Sequence, residues 1–309
     1  MSAQNILDLK GKQLTSLPDS LGESLDLEEL DLDQNQLTSL PESVGLLSKL
    51  KTLSLYNNQL SSLPESVWQL TTLRTLNLAD NHFISLSEVL GNLVNLQMLD
   101  LGHNRLSILP ESIGSLRSLN FLYLSNNRLT SLPRSFEHLG NLIYLNITDN
   151  ELDSFPECIG SLNRLIELRL YNNRFTVLPE SLGKLSRLKE LHLMDNELAW
   201  LPSTIGRLSE LRKLILQGNK LTTLPESIGN LKNLTDLDLR NNRLASLPES
   251  LDSLSNLRFL DLRANRLTTL PASLGELGNL EKLDLRWNKI SPPPEWIPRL
   301  EQQGCTVYA

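Results

Sequence analysis

The chain has 309 residues, a formal net charge of -7 and a sequence pI near 5.3. This acidic balance disfavours nucleic acids and anionic membrane surfaces as partners, because both favour a basic patch. The two cysteines, Cys158 and Cys305, lie far apart without the spacing of a disulfide framework, which favours a reducing compartment.

The N-terminal residues MSAQNILDLK contain no basic segment followed by an apolar one. No window of the chain approaches the run of about 18 apolar residues that a transmembrane helix needs. The sequence therefore predicts neither a signal peptide nor a transmembrane helix. Together with the cysteine usage, this leads us to expect a cytoplasmic protein.

One segment returns every 23 residues. Residues 96–118 read LQMLDLGHNRLSILPESIGSLRS, and residues 119–141 read LNFLYLSNNRLTSLPRSFEHLGN. The shared frame is LxxLxLxxNxLxxLPxSIGxLxx, and thirteen copies of it cover residues 4–302. A fixed period of this length is typical of a solenoid, in which each repeat packs on its neighbours.

This frame resembles a leucine-rich repeat. Its LPxSIG ending is similar to the 23-residue subclass of bacterial repeat proteins, plant intracellular Ras-group repeat proteins and the animal Ras-pathway scaffold, and to the repeat segment of Roco GTPases. The resemblance implies an α/β solenoid or horseshoe with a parallel concave sheet and short convex α or 3₁₀ segments. It says little about function, because such folds serve many partners.

The first copy, at residues 4–26, departs from the frame. Gln4, Lys12 and Ser24 stand where later copies have Leu, Asn and Leu, and polar residues at these positions suit an end that meets water. We therefore predict an N-terminal capping repeat at 4–26, eleven regular repeats at 27–279, and a C-terminal capping repeat with its tail at 280–309. We expect residues 1–309 to form a single, complete solenoid that is a monomer.

Each LxLxx segment predicts a short strand. In Leu99-Asp100-Leu101 the two leucines point to the core and the aspartate to the concave face, because side chains alternate along a strand. The asparagine that follows each strand is predicted to be buried and to satisfy backbone groups where the chain turns. These asparagines are Asn35, Asn58, Asn81, Asn104, Asn127, Asn150, Asn173, Asn196, Asn219, Asn242, Asn265 and Asn288.

The Leu-Pro-Glu-Ser-Ile-Gly segment predicts a short convex helix, with proline at its first position and a carboxylate in its first turn. The proline is missing once, at Ser87, which we interpret as a local irregularity. At residues 292–298 the sequence PPPEWIP is expected to replace the usual turn and helix. The tail QGCTVYA is expected to add a final strand.

Motifs of catalysis and metal binding are missing from the sequence. The four histidines, at positions 82, 103, 138 and 192, have no zinc-like spacing, and neither a phosphate-binding loop nor a nucleophile elbow occurs. We therefore predict no enzymatic activity, no metal and no cofactor.

The concave face is the predicted binding surface. In the middle repeats it carries large side chains that the strand alternation points away from the core, and aromatic residues with a polar edge often anchor interfaces. The alternative is that these residues only aid sheet pairing. The predicted partner-binding residues are Tyr56, Met98, Phe121, Tyr123, Tyr144, Arg169, Tyr171, His192, Met194 and Ile215.

The last three repeats each carry an aspartate and an arginine two positions apart on a strand. They form either a charged docking stripe or a self-compensating surface ladder that contributes little stability. The predicted stripe consists of Asp238, Arg240, Phe259, Asp261, Arg263, Asp284, Arg286 and Trp287.

The sequence thus predicts a protein–protein interaction scaffold or adaptor in signalling, which binds another protein on its concave face. The alternative, implied by the resemblance, is a regulatory module that acts on a small GTPase or a phosphatase. Neither interpretation includes nucleic acid or a membrane as a partner.

Overall fold

The structure, a computed structural model, describes residues 5–309. The chain divides into two compact units, Met1–Glu151 (unit 1) and Leu152–Ala309 (unit 2). In both units, three-residue parallel strands alternate with short helices, as the leucine-rich-repeat resemblance implies. Gln4, the first frame position of the predicted N-terminal capping repeat, lies outside the described residues.

The sheet of unit 1 contains seven parallel strands in chain order. In each pair a residue lies beside the residue 23 positions later, so that Leu99 pairs with Leu122. The strands are β1 (Ile6–Asp8), β2 (Glu29–Asp31), β3 (Thr52–Ser54), β4 (Thr75–Asn77), β5 (Met98–Asp100), β6 (Phe121–Tyr123) and β7 (Tyr144–Asn146).

Unit 2 repeats this arrangement with β8 (Glu167–Arg169), β9 (Glu190–His192), β10 (Lys213–Ile215), β11 (Asp236–Asp238), β12 (Phe259–Asp261), β13 (Lys282–Asp284) and β14 (Thr306–Tyr308). The last strand comes from the C-terminal tail and pairs in parallel with β13, with Val307 beside Leu283. This confirms the predicted final strand. The prediction of one continuous solenoid over residues 1–309 concerns how the two units join, and it stays a prediction.

The leucines of the frame form the core, as predicted. Leu99, Leu122 and Leu145 at the strand centres have no exposed surface. Leu101 and Leu124, two positions after Leu99 and Leu122, are also fully buried. Burial of a leucine side chain stabilises the fold by about 1.5–3 kcal/mol. The residues on either side of each central leucine point outward to the concave face.

The predicted asparagine ladder is confirmed, except that Asn288 at its end is half-buried instead of buried. The amide nitrogen of Asn104 donates to the carbonyl oxygens of Leu78, Leu101 and Gly102 at 2.9–3.1 Å, and its oxygen accepts a hydrogen bond from the backbone N–H of Phe83 at 3.0 Å. A leucine at this position would leave these buried groups without a partner. The asparagines therefore hold together the turn that follows each strand.

The residue before each of these asparagines has a left-handed backbone, which the sequence analysis did not predict. Asparagine, aspartate and glycine fill most of these positions because they tolerate positive φ better than other residues do. The exceptions are Gln34, His103, Ala264 and Trp287, with φ of 55°, 53°, 52° and 61°. The residues before the twelve asparagines are Gln34, Asn57, Asp80, His103, Asn126, Asp149, Asn172, Asp195, Gly218, Asn241, Ala264 and Trp287, and Gly11 takes the same conformation before Lys12 in the first copy.

On the convex side, the frame forms five-residue 3₁₀ helices. They span Asp19–Glu23, Glu42–Leu46, Glu65–Gln69, Glu88–Asn92, Glu111–Ser115, Arg134–His138, Glu157–Ser161, Glu180–Lys184, Ser203–Arg207, Glu226–Asn230, Glu249–Ser253 and Ala272–Glu276. The proline of the motif is the N-cap instead of the first helical residue, because its extended ψ (149° at Pro110) precedes the helix. Where proline is missing, the Ser87 hydroxyl accepts a hydrogen bond from the Val89 N–H.

The glutamate of this motif also connects neighbouring repeats. The Glu88 and Glu111 carboxylates accept hydrogen bonds from the backbone N–H groups of Ser112 and Ser135, 24 residues later, at 3.0 and 3.1 Å. The glycine permits the close approach of the repeats, since a Cβ on Gly114 would lie 2.4 Å from the Ser135 carbonyl oxygen. Neither inter-repeat role follows from the helix-start pattern alone.

In the last repeat an α-helix, α1 (Ile297–Gln302), stands where the other repeats have a 3₁₀ helix. A change at this place was expected from the prolines, but an α-helix was not predicted. Pro298 lies in its first turn, where a missing N–H is tolerated. Neither α1 nor any other helix of residues 5–309 has the length and apolar character to cross a membrane.

Candidate functional site

Three adjacent strands of unit 1 bring large apolar side chains into one row on the concave face. Strand pairing places Met98 beside Phe121 and Phe121 beside Tyr144. Phe121 has 38% of its surface exposed, and Met98 and Tyr144 are half-buried. Because neighbouring strands lie about 4.8 Å apart, the row presents a nearly continuous apolar surface.

Tyr123 adds a second aromatic contact to this row. Its ring centroid lies 5.0 Å from that of Tyr144, with the rings tilted by 39°. This centroid distance lies within the range over which aromatic rings attract each other. We call Met98, Phe121, Tyr123 and Tyr144 the unit 1 aromatic cluster.

Tyr56 is not part of the unit 1 aromatic cluster, although the sequence analysis grouped it with these residues. It follows β3, and β4 with Thr75 and Asn77 separates it from β5. Its N–H donates to the Asp33 carboxylate at 2.9 Å. The 23-residue period alone could not separate Tyr56 from the cluster, because every repeat contributes the same concave positions.

The predicted binding residues of unit 2 form a more polar group. Pairing places Arg169 beside His192 and His192 beside Ile215, and all three are half-buried. Tyr171 and Met194 follow β8 and β9 and are also half-buried. Burial lowers the pKa of His192 more than its hydrogen bond with Glu190 raises it, so the imidazole is neutral near pH 7.

Potential ligand atoms of Glu167, Glu190 and His192 lie within 4.8 Å of one another. A search for histidine spacing cannot find such a group, because its members come from two strands. Arg169 Nε lies 2.5 Å from the Glu167 carboxylate, and Lys213 Nζ lies 3.1 Å from that of Glu190. A divalent ion would have to displace both cations, so the geometry describes a neutral charge network and carries no metal assignment.

The aspartate and arginine pairs of the predicted stripe neutralise each other within their strands. Arg263 Nη2 lies 2.5 Å from Asp261, and Arg286 Nη2 lies 2.6 Å from Asp284. Arg263 also contacts Asp284 on the next strand at 3.3 Å. This geometry favours the self-compensating ladder over a stripe that offers free charge.

The pKa values of two of these aspartates shift in opposite directions. Burial raises the pKa of Asp238, and the hydrogen bond from the Arg240 N–H and the Arg240 charge only partly oppose it. Burial would also raise the pKa of Asp284, but hydrogen bonds and charge from Arg286, with the charge of Arg263, lower it. Asp284 is fully buried, so its ionised form depends on the two arginines.

The aromatic residues at this end of unit 2 remain accessible. Trp287 has 72% of its surface exposed, and Phe259 and Tyr308 are also exposed. The Arg286 guanidinium lies 4.9 Å from the Tyr308 ring centroid and 5.7 Å from that of Trp287. Tyr308 was not among the predicted residues, and the pairing of β14 with β13 places it beside Asp284.

Comparison with known families agrees with the repeat geometry. Sequence profiles described as "Leucine-rich repeat region" match residues 62–142, 80–199, 156–246 and 201–291, and one described as "Leucine rich repeat" matches residues 26–83. The chain belongs to the leucine-rich repeat family. The parallel strands with short 3₁₀ helices confirm the predicted fold class.

Solved leucine-rich repeat structures resemble this chain over most of its length. A Leptospira interrogans leucine-rich repeat protein is 41% identical with a TM-score of 0.91, and the match covers 96% of this chain and 76% of that one. An internalin from Listeria monocytogenes is 24% identical with a TM-score of 0.85, and the match covers 98% of this chain and 86% of the internalin chain. At this identity the match shows the fold alone.

The leucine-rich repeat ectodomain of the Arabidopsis thaliana receptor kinase GASSHO1/SCHENGEN3, in complex with Casparian strip integrity factor 2, is 35% identical with a TM-score of 0.69. The match covers 88% of this chain but only 37% of the receptor chain. A comparison with functionally curated proteins found no match. Leucine-rich repeats are in general protein-interaction modules without catalytic activity, and this general role applies to the family of the present chain.

Proposed function

We propose that this chain is a scaffold or adaptor that binds another protein through the concave face. The observation that carries the proposal is the unit 1 aromatic cluster, which lies on an open sheet face. The receptor ectodomain described above, a member of the same family, is bound to a factor in its structure.

The exposure of the cluster favours binding over a purely structural role. Phe121 lies at the centre of the row and is exposed, whereas Leu122 beside it in the chain is fully buried. An aromatic side chain that remains partly open to water gains the rest of its burial energy only when a partner covers it. The tyrosine hydroxyls can in addition hydrogen-bond to the partner.

The proposal is tested by partner capture from a lysate of the source cell with the wild-type chain and the variant Tyr123→Ala/Tyr144→Ala. We expect the variant to lose the captured protein and to keep its circular dichroism spectrum and melting temperature. The control Thr52→Ala/Thr75→Ala removes two side chains from the same face of unit 1 and should capture normally. Equal capture by wild type and the tyrosine variant would refute the concave site on unit 1.

The concave residues of unit 2 are part of the same proposal and are tested separately. Tyr171→Ala and Met194→Ala remove the two large side chains that follow β8 and β9. If only these variants lose the partner, the binding surface lies on unit 2 and the unit 1 aromatic cluster has another role. If neither unit's variants affect capture, the concave-face proposal fails.

A second candidate is a regulatory module that acts on a small GTPase or a phosphatase. It is favoured by the LPxSIG ending of the repeats, which resembles that of Ras-group repeat proteins and the Ras-pathway scaffold. Capture enriched in a GTPase or phosphatase, together with a changed rate of GTP or phosphoester hydrolysis on addition of the chain, would support this role.

The proposal also includes a cytoplasmic location, a monomeric state and a role in signalling, without nucleic acid or membrane as a partner. The cysteine usage supports the location, because Cys158 and Cys305, the two cysteines of the chain, do not form a disulfide. The acidic net charge supports the choice of partner. Cell fractionation and light scattering of the purified chain test the location and the monomer.

A further inference from the structure

A column of cations runs along one lateral edge of unit 2, outside the concave face. The residue directly after the asparagine of the ladder is basic in four consecutive repeats, at Lys220, Arg243, Arg266 and Lys289. The overall charge of -7 conceals this column, which becomes visible only when the lateral positions are aligned on the 23-residue period.

The backbone of this column is held in register by hydrogen bonds between repeats. The N–H groups of Arg243, Arg266 and Lys289 each donate to a carbonyl oxygen 22 residues earlier at 2.9 Å. Each residue also follows an asparagine whose side chain is fixed by the ladder. Successive cations therefore start from backbone positions about one strand spacing, roughly 4.8 Å, apart.

Three of these cations carry charge that the protein itself does not neutralise. Lys220 pairs with Glu197 at 2.7 Å, but within residues 5–309 no carboxylate forms an ion pair with Arg243, Arg266 or Lys289. All three are exposed. The next residue on the outer side is neutral in these repeats, as in Ala245, so a local excess of positive charge remains. We call Arg243, Arg266 and Lys289 the lateral basic stripe.

Trp287 lies two residues before Lys289 and offers an apolar contact at the same end. It occupies the left-handed position with φ of 61°, where asparagine, aspartate or glycine is usual in this chain, and 72% of its surface is exposed. A bulky residue in this conformation gains little from folding when its ring is exposed to water, apart from the contact with the Arg286 guanidinium. Its conformation and exposure together are typical of a residue placed for contact with a partner.

We propose that the lateral basic stripe and Trp287 form a docking site for an acidic, extended segment of a partner protein. The carboxylates of such a segment would pair with Arg243, Arg266 and Lys289, and an apolar residue next to them would pack on Trp287. Charge pairs of this kind set the register and the association rate of a complex. This site is separate from the unit 1 aromatic cluster and does not depend on it.

The chemistry favours an acidic peptide over a nucleic acid. The stripe is only three cations long, and the chain as a whole carries a net charge of -7. A long polyanion that extended beyond the stripe would meet the acidic remainder of the chain. A short acidic segment matches the extent of the stripe.

The test is fluorescence anisotropy with a labelled polyglutamate peptide of about eight residues, measured at low and at physiological salt. Binding should be weaker at physiological salt because the ions screen the charges. We expect the wild-type chain to bind the peptide, and Arg243→Gln/Arg266→Gln/Lys289→Gln to weaken binding at least about tenfold. The matched control Lys184→Gln/Arg187→Gln/Arg207→Gln makes the same change in net charge at other exposed positions of unit 2 and should bind normally. Trp287→Asn should weaken binding about threefold with a peptide that carries one phenylalanine.

Two further results decide between explanations. The variant Tyr123→Ala/Tyr144→Ala should bind the peptide like the wild-type chain, since the two surfaces are separate. A complete lack of peptide binding at low salt, an equal loss in the control variant, or tighter binding of single-stranded DNA of matched charge through the same stripe would each overturn the proposal. Melting temperatures near that of the wild-type chain show that the exposed substitutions leave the fold intact.

Discussion

The asparagine ladder makes a quantitative prediction about stability. Replacement of Asn104 by alanine removes three donated hydrogen bonds, to the carbonyls of Leu78, Leu101 and Gly102, and one accepted from the N–H of Phe83. Asn104 retains only 8% of its surface exposure, so water does not readily replace these bonds. The four lost bonds are not equivalent.

The three carbonyls each keep another donor after the substitution. Asn81 donates to the Leu78 oxygen, Asn127 to the Leu101 oxygen, and the Asp80 N–H to the Gly102 oxygen. The Phe83 N–H, in contrast, loses its acceptor. One buried unsatisfied group costs about 1–3 kcal/mol, and the weakened carbonyl bonds add about one more, which gives a loss of about 2–4 kcal/mol.

Urea denaturation followed by circular dichroism measures this loss, and hydrogen exchange should show it concentrated in residues 73–106. Asn104→Asp keeps an acceptor for Phe83 but faces a carboxylate toward carbonyl oxygens, so it should be at least as destabilising as alanine. The control Asn95→Ala removes an exposed amide with one hydrogen bond to the Thr71 carbonyl and should cost less than about 1 kcal/mol. Equal losses for Asn104→Ala and Asn95→Ala would refute the role assigned to the ladder.

Three further predictions follow from the core, a charged pair and a left-handed position. Leu145→Ala should lower stability by about 2–5 kcal/mol in urea denaturation because Leu145 is fully buried, and an unchanged midpoint would contradict the assigned frame. The pKa of Asp284 is lower in the folded than in the unfolded chain, so its carboxylate stabilises the fold above the unfolded pKa and loses this effect as the pH falls. The difference in melting temperature between wild type and Asp284→Asn should therefore shrink from about pH 7 to about pH 3. A difference that does not depend on pH would contradict the ion pairs with Arg286. Trp287→Asn should leave the melting temperature unchanged or raise it, because asparagine tolerates φ of 61° better, and a marked fall would show that the indole has a structural role.

The structure groups several of the predicted site residues in a way that the sequence did not indicate. The alternation of side chains predicts that Tyr56 lies on the concave face. Its separation from the unit 1 aromatic cluster depends on the small side chains of β4, which lies between β3 and β5. The Asp–Arg pairs were located correctly, but only side-chain geometry distinguishes a pair such as Asp261–Arg263 from a free docking stripe. The lateral basic stripe was present in the sequence and was missed because only the concave positions were aligned.

The sequence by itself determined the repeat, the buried leucines such as Leu145 and the asparagine ladder. Each of these depends on the 23-residue period, which places equivalent residues on one another in every copy, and on the alternation of side chains along a strand. Physical chemistry then leaves one arrangement, because leucine must be buried and a buried amide must be paired.

Only the tertiary structure decided which neighbours each polar side chain meets. It placed the Glu111 carboxylate on the N–H of Ser135 in the next repeat, joined Glu167, Glu190 and His192 into a network with two cations, and gave Trp287 a left-handed backbone. These features depend on side-chain rotamers and on contacts between repeats. A periodic sequence leaves several such contacts equally possible, and the packing of neighbouring repeats selects among them.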